Sequence, residues 1–551
     1  MVIRAPSASE QAGRTEARDS TNDNDRGGFG WLGRVPVHPL LFAAYAVLFL
    51  YSVNVDEVLP VDAELPLARY VLAALALTGL LAIPLRSVRR GAVVASAAIV
   101  AFAAFGHAAP VLADRGLDDR GQLLVWGLVV AAAVAYAIRA RASLPRVTAG
   151  LNAVAVVLVI AVVASIVPYE MGRAGRANVA PVASVQAAAA TASGRRPDIY
   201  FLIFDRYGSA DALQTRFGIT SDLYDWLRGQ GFHVPASSHA NYRATDFSLA
   251  ATLNMQFLDD LTARIGRDSG DRTPARAMIQ DHAVGQFLKA QGYRYYQLGS
   301  WFGPTHSIAI ADENIAFGET SEFESVLRDT TILPALDRVL GNGEAEDTPT
   351  TAIADDEAPP PDQAFRDRVV DGTRFELRQL PRIATAPGPK FVFGHILLPH
   401  DPYVFRADGT VISESESRST DEAELYQGQL EFANSQIREI VGDLLSGPEE
   451  DRPVVIIEGD EGPLACRNTD CPSMASDYLR IRLGNLIAMY LPGVDIDVPD
   501  TFTSVNTFRL VFSEYFGADL PPLPDHSFTW PDNDHAYDFR DVTHLIGGPS
   551  P

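Results

Sequence analysis

The chain has little of several residues that would commit it to common functions. Two cysteines occur in 551 residues, Cys466 and Cys471. One pair cannot supply a four-ligand zinc site, and in an exported domain a C-x4-C pair is expected to form a disulfide that pins its loop. Basic residues are also outnumbered, 45 Lys and Arg against 69 Asp and Glu, for a net charge of -24. A phosphate backbone is bound by Lys and Arg, so this balance argues against nucleic acid as a partner. An anionic substrate would need a metal or a local group of Arg and His. Residues 1–34 have no apolar run of the kind a signal peptide needs; rich in Gly, Asp and Arg, they are expected to form a disordered cytoplasmic tail. There is no internal repeat.

A mean hydropathy of +0.03 averages two unlike parts. Five apolar runs, 35–53, 67–85, 92–109, 122–138 and 147–167, crowd the first third. Each approaches the roughly 20 residues a spanning helix needs, and nothing later in the chain could cover so much Ala, Leu and Val. A five-helix membrane domain over 35–168 is the expectation. Arg86, Arg89 and Arg90 fill the second loop, and Arg139, Arg141 and Arg146 the fourth. The first carries Asp56, Glu57, Asp62 and Glu64, while the third is mixed, with Asp114, Arg115, Asp118, Asp119 and Arg120. Basic loops stay cytoplasmic, so the amino terminus is expected inside a bacterial-type cytoplasmic membrane and the remainder outside. The helices lack the intramembrane charged cluster that marks an ion path, which weighs against a transporter.

A Gly-, Ala- and Ser-rich tether is expected over 169–196, followed by an α/β domain over 197–545. Strands are predicted at 198–204, 293–298, 391–398, 454–458 and 486–491. Helices are predicted at 222–230, 246–258, 282–290, 422–445 and 505–515. Runs apolar on both faces imply a mostly parallel central sheet covered on both sides. An acidic, Pro-rich insert at 341–363 is expected to be a mobile loop.

Polar residues stand where these strands end. Asp205 closes the first, His400 follows the third, with His395 a weaker candidate nearby, and Asp460 and Glu461 follow the fourth. Thr245 precedes an apolar helical run. Ligands bind at the carboxyl ends of parallel strands, but each residue also has a plain reading. Thr245 serves as a helix N-cap, Asp205 caps a loop, His400 bonds locally beside its proline, and Asp460-Glu461-Gly462-Pro463 is a solvated turn.

Taken in order, Pro197-Asp198-Ile199-Tyr200 through Asp205-Arg206-Tyr207-Gly208, Asn241-Tyr242 with Thr245 and Ser248, Leu398-Pro399-His400-Asp401-Pro402-Tyr403, and Pro492-Gly493 with Ser504-Val505-Asn506-Thr507 resemble the alkaline phosphatase superfamily. The likeness is to its sulfatase-like, membrane-anchored branch, which includes lipoteichoic acid synthase, and it covers about 197–528. The resemblance implies that Thr245 is the nucleophile, that Asp205, Thr245, Asp460 and Glu461 hold one divalent metal, and that His400 assists at the phosphoryl group or leaving group. It also implies a metal-dependent phosphoester hydrolase or phospho-group transferase whose substrate is a membrane lipid or envelope glycopolymer. Two departures matter. Asp460-Glu461-Gly462 stands where Asp-His-Gly is expected, and a ligand set of carboxylates and a threonine oxygen favours Mg or Mn over Zn. Thr245-Asp246-Phe247-Ser248-Leu249 lacks the Cys/Ser-x-Pro-x-Arg segment of sulfatases, which disfavours sulfate esters. The Asp-Glu variant also leaves room for a catalytically inactive envelope scaffold.

Overall fold

A computed structural model describes residues 35–140, 144–176, 196–318, 322–340, 363–466, 475–496 and 498–547. All five apolar runs are helical, but they do not give five equivalent spans. The helices are α1 (His38–Val53), α2 (Pro60–Leu85), α3 (Val88–Ala103), α4 (Phe105–Ala113), α5 (Asp119–Arg139) and α6 (Leu144–Arg176). Three of them, α2, α5 and α6, are long and apolar enough to cross a membrane, and α3 with α4 makes a fourth if the bent pair is one span. At 16 residues, α1 reaches only about 24 Å, short of a hydrocarbon core of about 30 Å. Leu72, Leu80, Ile83, Leu128 and Ile160 are each at least 60% exposed on these helices, apolar surface that a bilayer would cover. Helix α6 runs on through Arg176, past the point where the tether was expected to begin; 177–195, like the tail 1–34 and the insert 341–362, lie outside the described residues.

The bend between α3 and α4, 59°, has an identifiable cause. In a continuous helix the Gly106 N–H would donate to the Phe102 carbonyl. Here Gly106 N–H donates to Thr330 O at 2.9 Å, and Phe102 O accepts from Ile332 N–H at 3.0 Å. A turn of the α/β domain therefore occupies the break. Its flanking helices, Glu322–Asp329 and Leu333–Val339, are tied down as well. Phe323 and Leu327 pack with Val47, Leu50 and Val162, Arg69 pairs with Glu324 at 2.8 Å, and Arg338 pairs with Asp119 at 2.6 Å. The end of α1, the first half of α2, the α3–α4 break and the start of α5 thus all meet the α/β domain. A Cβ on Gly106 would lie 2.7 Å from Thr330 O. Gly106→Val is accordingly expected to cost about 1–3 kcal/mol and to loosen this docking, read as a lower Tm and faster limited proteolysis of the full chain in detergent.

The α/β domain is built on a six-stranded sheet. In chain order its strands are β1 (Ile199–Phe204), the short β2 (Ser237–His239) outside the sheet, β3 (Arg294–Gly299), β4 (Glu313–Ala316), β5 (Lys390–Ile396), β6 (Val454–Glu458) and β7 (Ile487–Tyr490). The sheet order is β4-β3-β5-β1-β6-β7, parallel except for the β6–β7 pair. β2 pairs with β8 (Thr501–Thr503), and β9 (Phe528–Thr529) with β10 (Arg540–Asp541). β1, β5 and β6 are buried at every position. Alternate residues feed two cores: Phe201, Phe393 and Ile456 face one, Leu202, Val392 and Ile457 the other. This is the arrangement that runs apolar on both faces require.

The helix Gln363–Ala384, which covers part of the second face, follows the acidic insert directly and was not expected from the sequence. It buries Glu376, whose carboxyl is pushed well above its ordinary value by burial. Stability from such a group is fully present below the unfolded value and is lost as pH rises through the folded one. Glu376→Gln should therefore flatten the fall of Tm above about pH 5 and leave the protein more stable than wild type at neutral and higher pH.

Candidate functional site

Strand register assembles the site. Ile203 on β1 stands opposite His395 on β5 and opposite Glu458 on β6. Two residues further on, Asp205 and Asp460 leave their strands level with one another. Side chains two apart share a face, so Asp205, His395 and Asp460 all point to the same side of the sheet, the side covered by the helix Thr245–Asn254. Each of the three offers one ligand atom within 4.8 Å of the others, and all three are buried.

The Asp460 loop is not a solvated turn. Asp460 and Glu461 are 1% and 2% exposed. Gly459 and Gly462 bracket them because a Cβ at either would overlap the carbonyl oxygen of Tyr207 or of Ile481. The Arg206 N–H donates to Asp460 Oδ1 at 3.0 Å, with Arg206 in the left-handed region at φ 59°. That conformation costs a non-glycine residue about 1–2 kcal/mol, and it is held by Tyr426 O–H donating to the Arg206 carbonyl at 2.9 Å.

His395 Nε2 lies 3.0 Å from Asp205 Oδ2, and its Nδ1 lies 2.7 Å from Thr305 Oγ1. Asp205 Oδ1 and Asp460 Oδ2 are buried with no hydrogen-bond partner among the described residues. The two carboxyls are pushed apart. Burial raises Asp205, but the charge of His400, the bond from His395 and Arg206 outweigh it and hold the group below its ordinary value. Burial, and then the neighbouring Asp205, push Asp460 up against the pull of His395, the Thr245 hydroxyl and the Arg206 amide. Two unpartnered carboxylate oxygens and an imidazole converging in a buried space suit a divalent cation.

Thr245 does not cap its helix. The N-cap is Ala244, and Thr245 is the first helical residue, with its hydroxyl against Asp460. The Ser248 hydroxyl donates to the Asp460 carbonyl at 2.6 Å, which ties the helix to the loop. His400 sits beside the cluster, its charge acting on Asp205 and its ring 5.8 Å from that of Trp301.

Glu461 is the residue the structure places differently. Its oxygens are taken by Arg482 Nη2 at 2.7 Å and Arg206 Nε at 3.4 Å, and it is absent from the converging group. The imidazole expected directly after Asp460 arrives instead from β5, as His395. Burial raises the Glu461 carboxyl to about 8 against the pull of Arg482. The preference for Mg or Mn over Zn rested on a wholly oxygen set, and with an imidazole in the group that basis is lost. Arg482 also donates to the carbonyls of Arg243 and Gly462 at 2.9 and 3.1 Å, bracing both loops. No local pattern marks it in the sequence, whereas Arg206 could have been read from its place after Asp205. Cys466 is disulfide-bonded; Cys471 lies outside the described residues.

No family model and no curated protein matches the chain. Among solved structures, it is similar to the C-terminal periplasmic domain of EcEptC from Escherichia coli in complex with Zn, at 12% identity over 65% of this chain and 98% of that one, with a TM-score of 0.38. It is also similar to the phosphonate monoester hydrolase of Agrobacterium radiobacter, at 13% identity over 60% and 80%, TM-score 0.37. A third is BT1596, a 2-O GAG sulfatase, at 12% identity over 59% and 72%, TM-score 0.36.

Proposed function

We propose that the chain is a membrane-anchored, metal-dependent phosphoester hydrolase or phospho-group transferase with Thr245 as its nucleophile, acting on a lipid or glycopolymer of the cell envelope from the outer side of the membrane. The observation that carries this reading is the convergence of three buried groups, Asp205, His395 and Asp460, from three separate stretches of chain, with the half-buried Thr245 opening a helix beside Asp460. Asp205, His395 and Asp460 would hold the cation. If His395 Nδ1–H donates to Thr305, the Nε2 lone pair faces the Asp205 carboxylate, and a cation or a proton must lie between them. The mixed donor set accommodates Zn as well as Mn.

A bound cation would lower the pKa of a nearby hydroxyl and neutralise charge on a phosphoryl oxygen. The first-turn amides of Thr245–Asn254 favour an anion at the same place. Thr245 Oγ1, its proton released to solvent, would attack phosphorus as the bond to the leaving oxygen breaks, and His400 would supply that oxygen with a proton. Water or an acceptor hydroxyl then releases the phosphoryl group from Thr245. Docking of the outer domain on the membrane helices accords with a substrate drawn from the bilayer or from the envelope beside it. The test is purification of the full chain in detergent, measurement of bound metal, and assay of phosphodiester and phospholipid turnover. Absence of both metal and turnover would sink the proposal.

A further inference from the structure

Behind Thr245 stands a charge network that reaches into the membrane domain. Asp246, the next residue, is 3% exposed and is held by two arginines of a neighbouring segment. Arg272 Nη1 lies 3.0 Å from its Oδ1, and Arg276 Nε lies 3.3 Å from its Oδ2. Both arginines are anchored from the loop between α1 and α2. The Arg272 N–H donates to the Asp56 carbonyl at 2.9 Å. The Arg276 guanidinium donates to the Glu57 carbonyl and lies 3.4 Å from Glu57 Oε2. The same guanidinium lies 5.8 Å from the ring of Phe302, whose edge meets the His395 imidazole at 5.8 Å.

We infer that Glu57 and Arg276 are positioning residues for the site: the loop between the first two membrane helices holds the Arg276 guanidinium, which in turn sets Asp246 beside Thr245 and Phe302 beside His395. This rests on the proposed role of Thr245. The physical reason is that a buried carboxylate such as Asp246 needs its cations in place. A guanidinium shared between two carboxylates takes part of its orientation from each. The membrane domain therefore acts as part of the support of the site as well as its anchor. A nucleophile displaced by about 1 Å can lose about 100-fold in rate, so loss of one such support registers in turnover.

The experiment uses the full chain in lipid nanodiscs, with Glu57→Gln, Glu57→Arg and, as a control, Glu324→Gln. The last weakens the docking pair with Arg69 without touching Arg276. Two quantities are read: steady-state turnover of a phosphodiester, and amide hydrogen exchange over residues 244–250. The expected result is a fall in kcat of at least 10-fold for Glu57→Arg, a smaller fall for Glu57→Gln, little change in KM, and exchange at 244–250 at least 10-fold faster in Glu57→Arg. Glu324→Gln should alter neither. Wild-type exchange at 244–250 in Glu57→Arg would overturn the inference, as would equal losses in Glu57→Arg and Glu324→Gln. If wild type shows no turnover while exchange still responds to Glu57→Arg, the support stands and the proposed chemistry fails.

Discussion

Thr245→Ala is expected to lower turnover by at least about 1,000-fold, as loss of a covalent nucleophile does, while the protein keeps its fold and most of its metal affinity. The fold is spared because Thr245 makes no capping bond; Ala244 holds that position. The helix start is secured independently by Ser248 on the Asp460 carbonyl and by the Asp246 ion pairs. Alanine is also a better helix former than threonine, so Tm should change by little. Metal affinity is largely spared because Asp205, His395 and Asp460 converge without Thr245. Thr245→Ser keeps the hydroxyl and should stay within about 10-fold of wild type, since only the methyl group and its χ1 restriction are lost. Turnover in Thr245→Ala equal to wild type would end the nucleophile assignment. A serine variant as inactive as the alanine one would mean that the methyl contact, and not the oxygen, is what matters.

The two elements that carry the site were legible because they obey short-range rules. β1 is a continuous apolar run and β5 and β6 are mostly apolar, and Asp205 and Asp460 are the first acids after β1 and β6. The residues that complete the site depend on long-range register. His395 lies within a strand, where an imidazole is usually packing, and only its place opposite Ile203 shows that it joins Asp205. Glu461 carries no sign that its counter-charges come from Arg482, on the helix Ser476–Leu483, and from Arg206. The resemblance expected an imidazole directly after Asp460, where Glu461 stands, whereas the buried cluster takes its imidazole from β5, as His395. In the amino-terminal helical region, hydropathy marked five apolar runs where six helices stand. It could not reveal that Phe102 and Gly106 give up their mutual bond to a turn of the α/β domain, so one expected straight span is a bent pair. The pairing of Glu57 with Arg276 was out of reach for the same reason, since its partners stand 219 residues apart in the chain.

His395→Ala and Glu461→Gln should separate the two readings of the ligand set. Removing His395 takes away the only nitrogen donor in the converging group and leaves Asp205 Oδ2 without its partner in a buried space. Two close carboxylates without a balancing charge repel each other, so one will take up a proton in place of a metal. Divalent metal affinity, measured by chelator competition, is expected to fall by at least about 100-fold, and turnover with it. Glu461→Gln is a much smaller change. Burial already raises this carboxyl to about 8, and the amide oxygen can still accept from Arg482. Its metal affinity should stay within about 10-fold of wild type. Glu461→Ala would leave Arg482 buried at 5% exposure with its carboxylate gone, at a cost of about 3–5 kcal/mol. It should therefore appear as a loss of Tm and not as a specific loss of metal. If Glu461→Gln loses metal as completely as His395→Ala while its Tm is unchanged, then Glu461 turns toward the cation when one binds, and the arginine pairs describe only the cation-free arrangement.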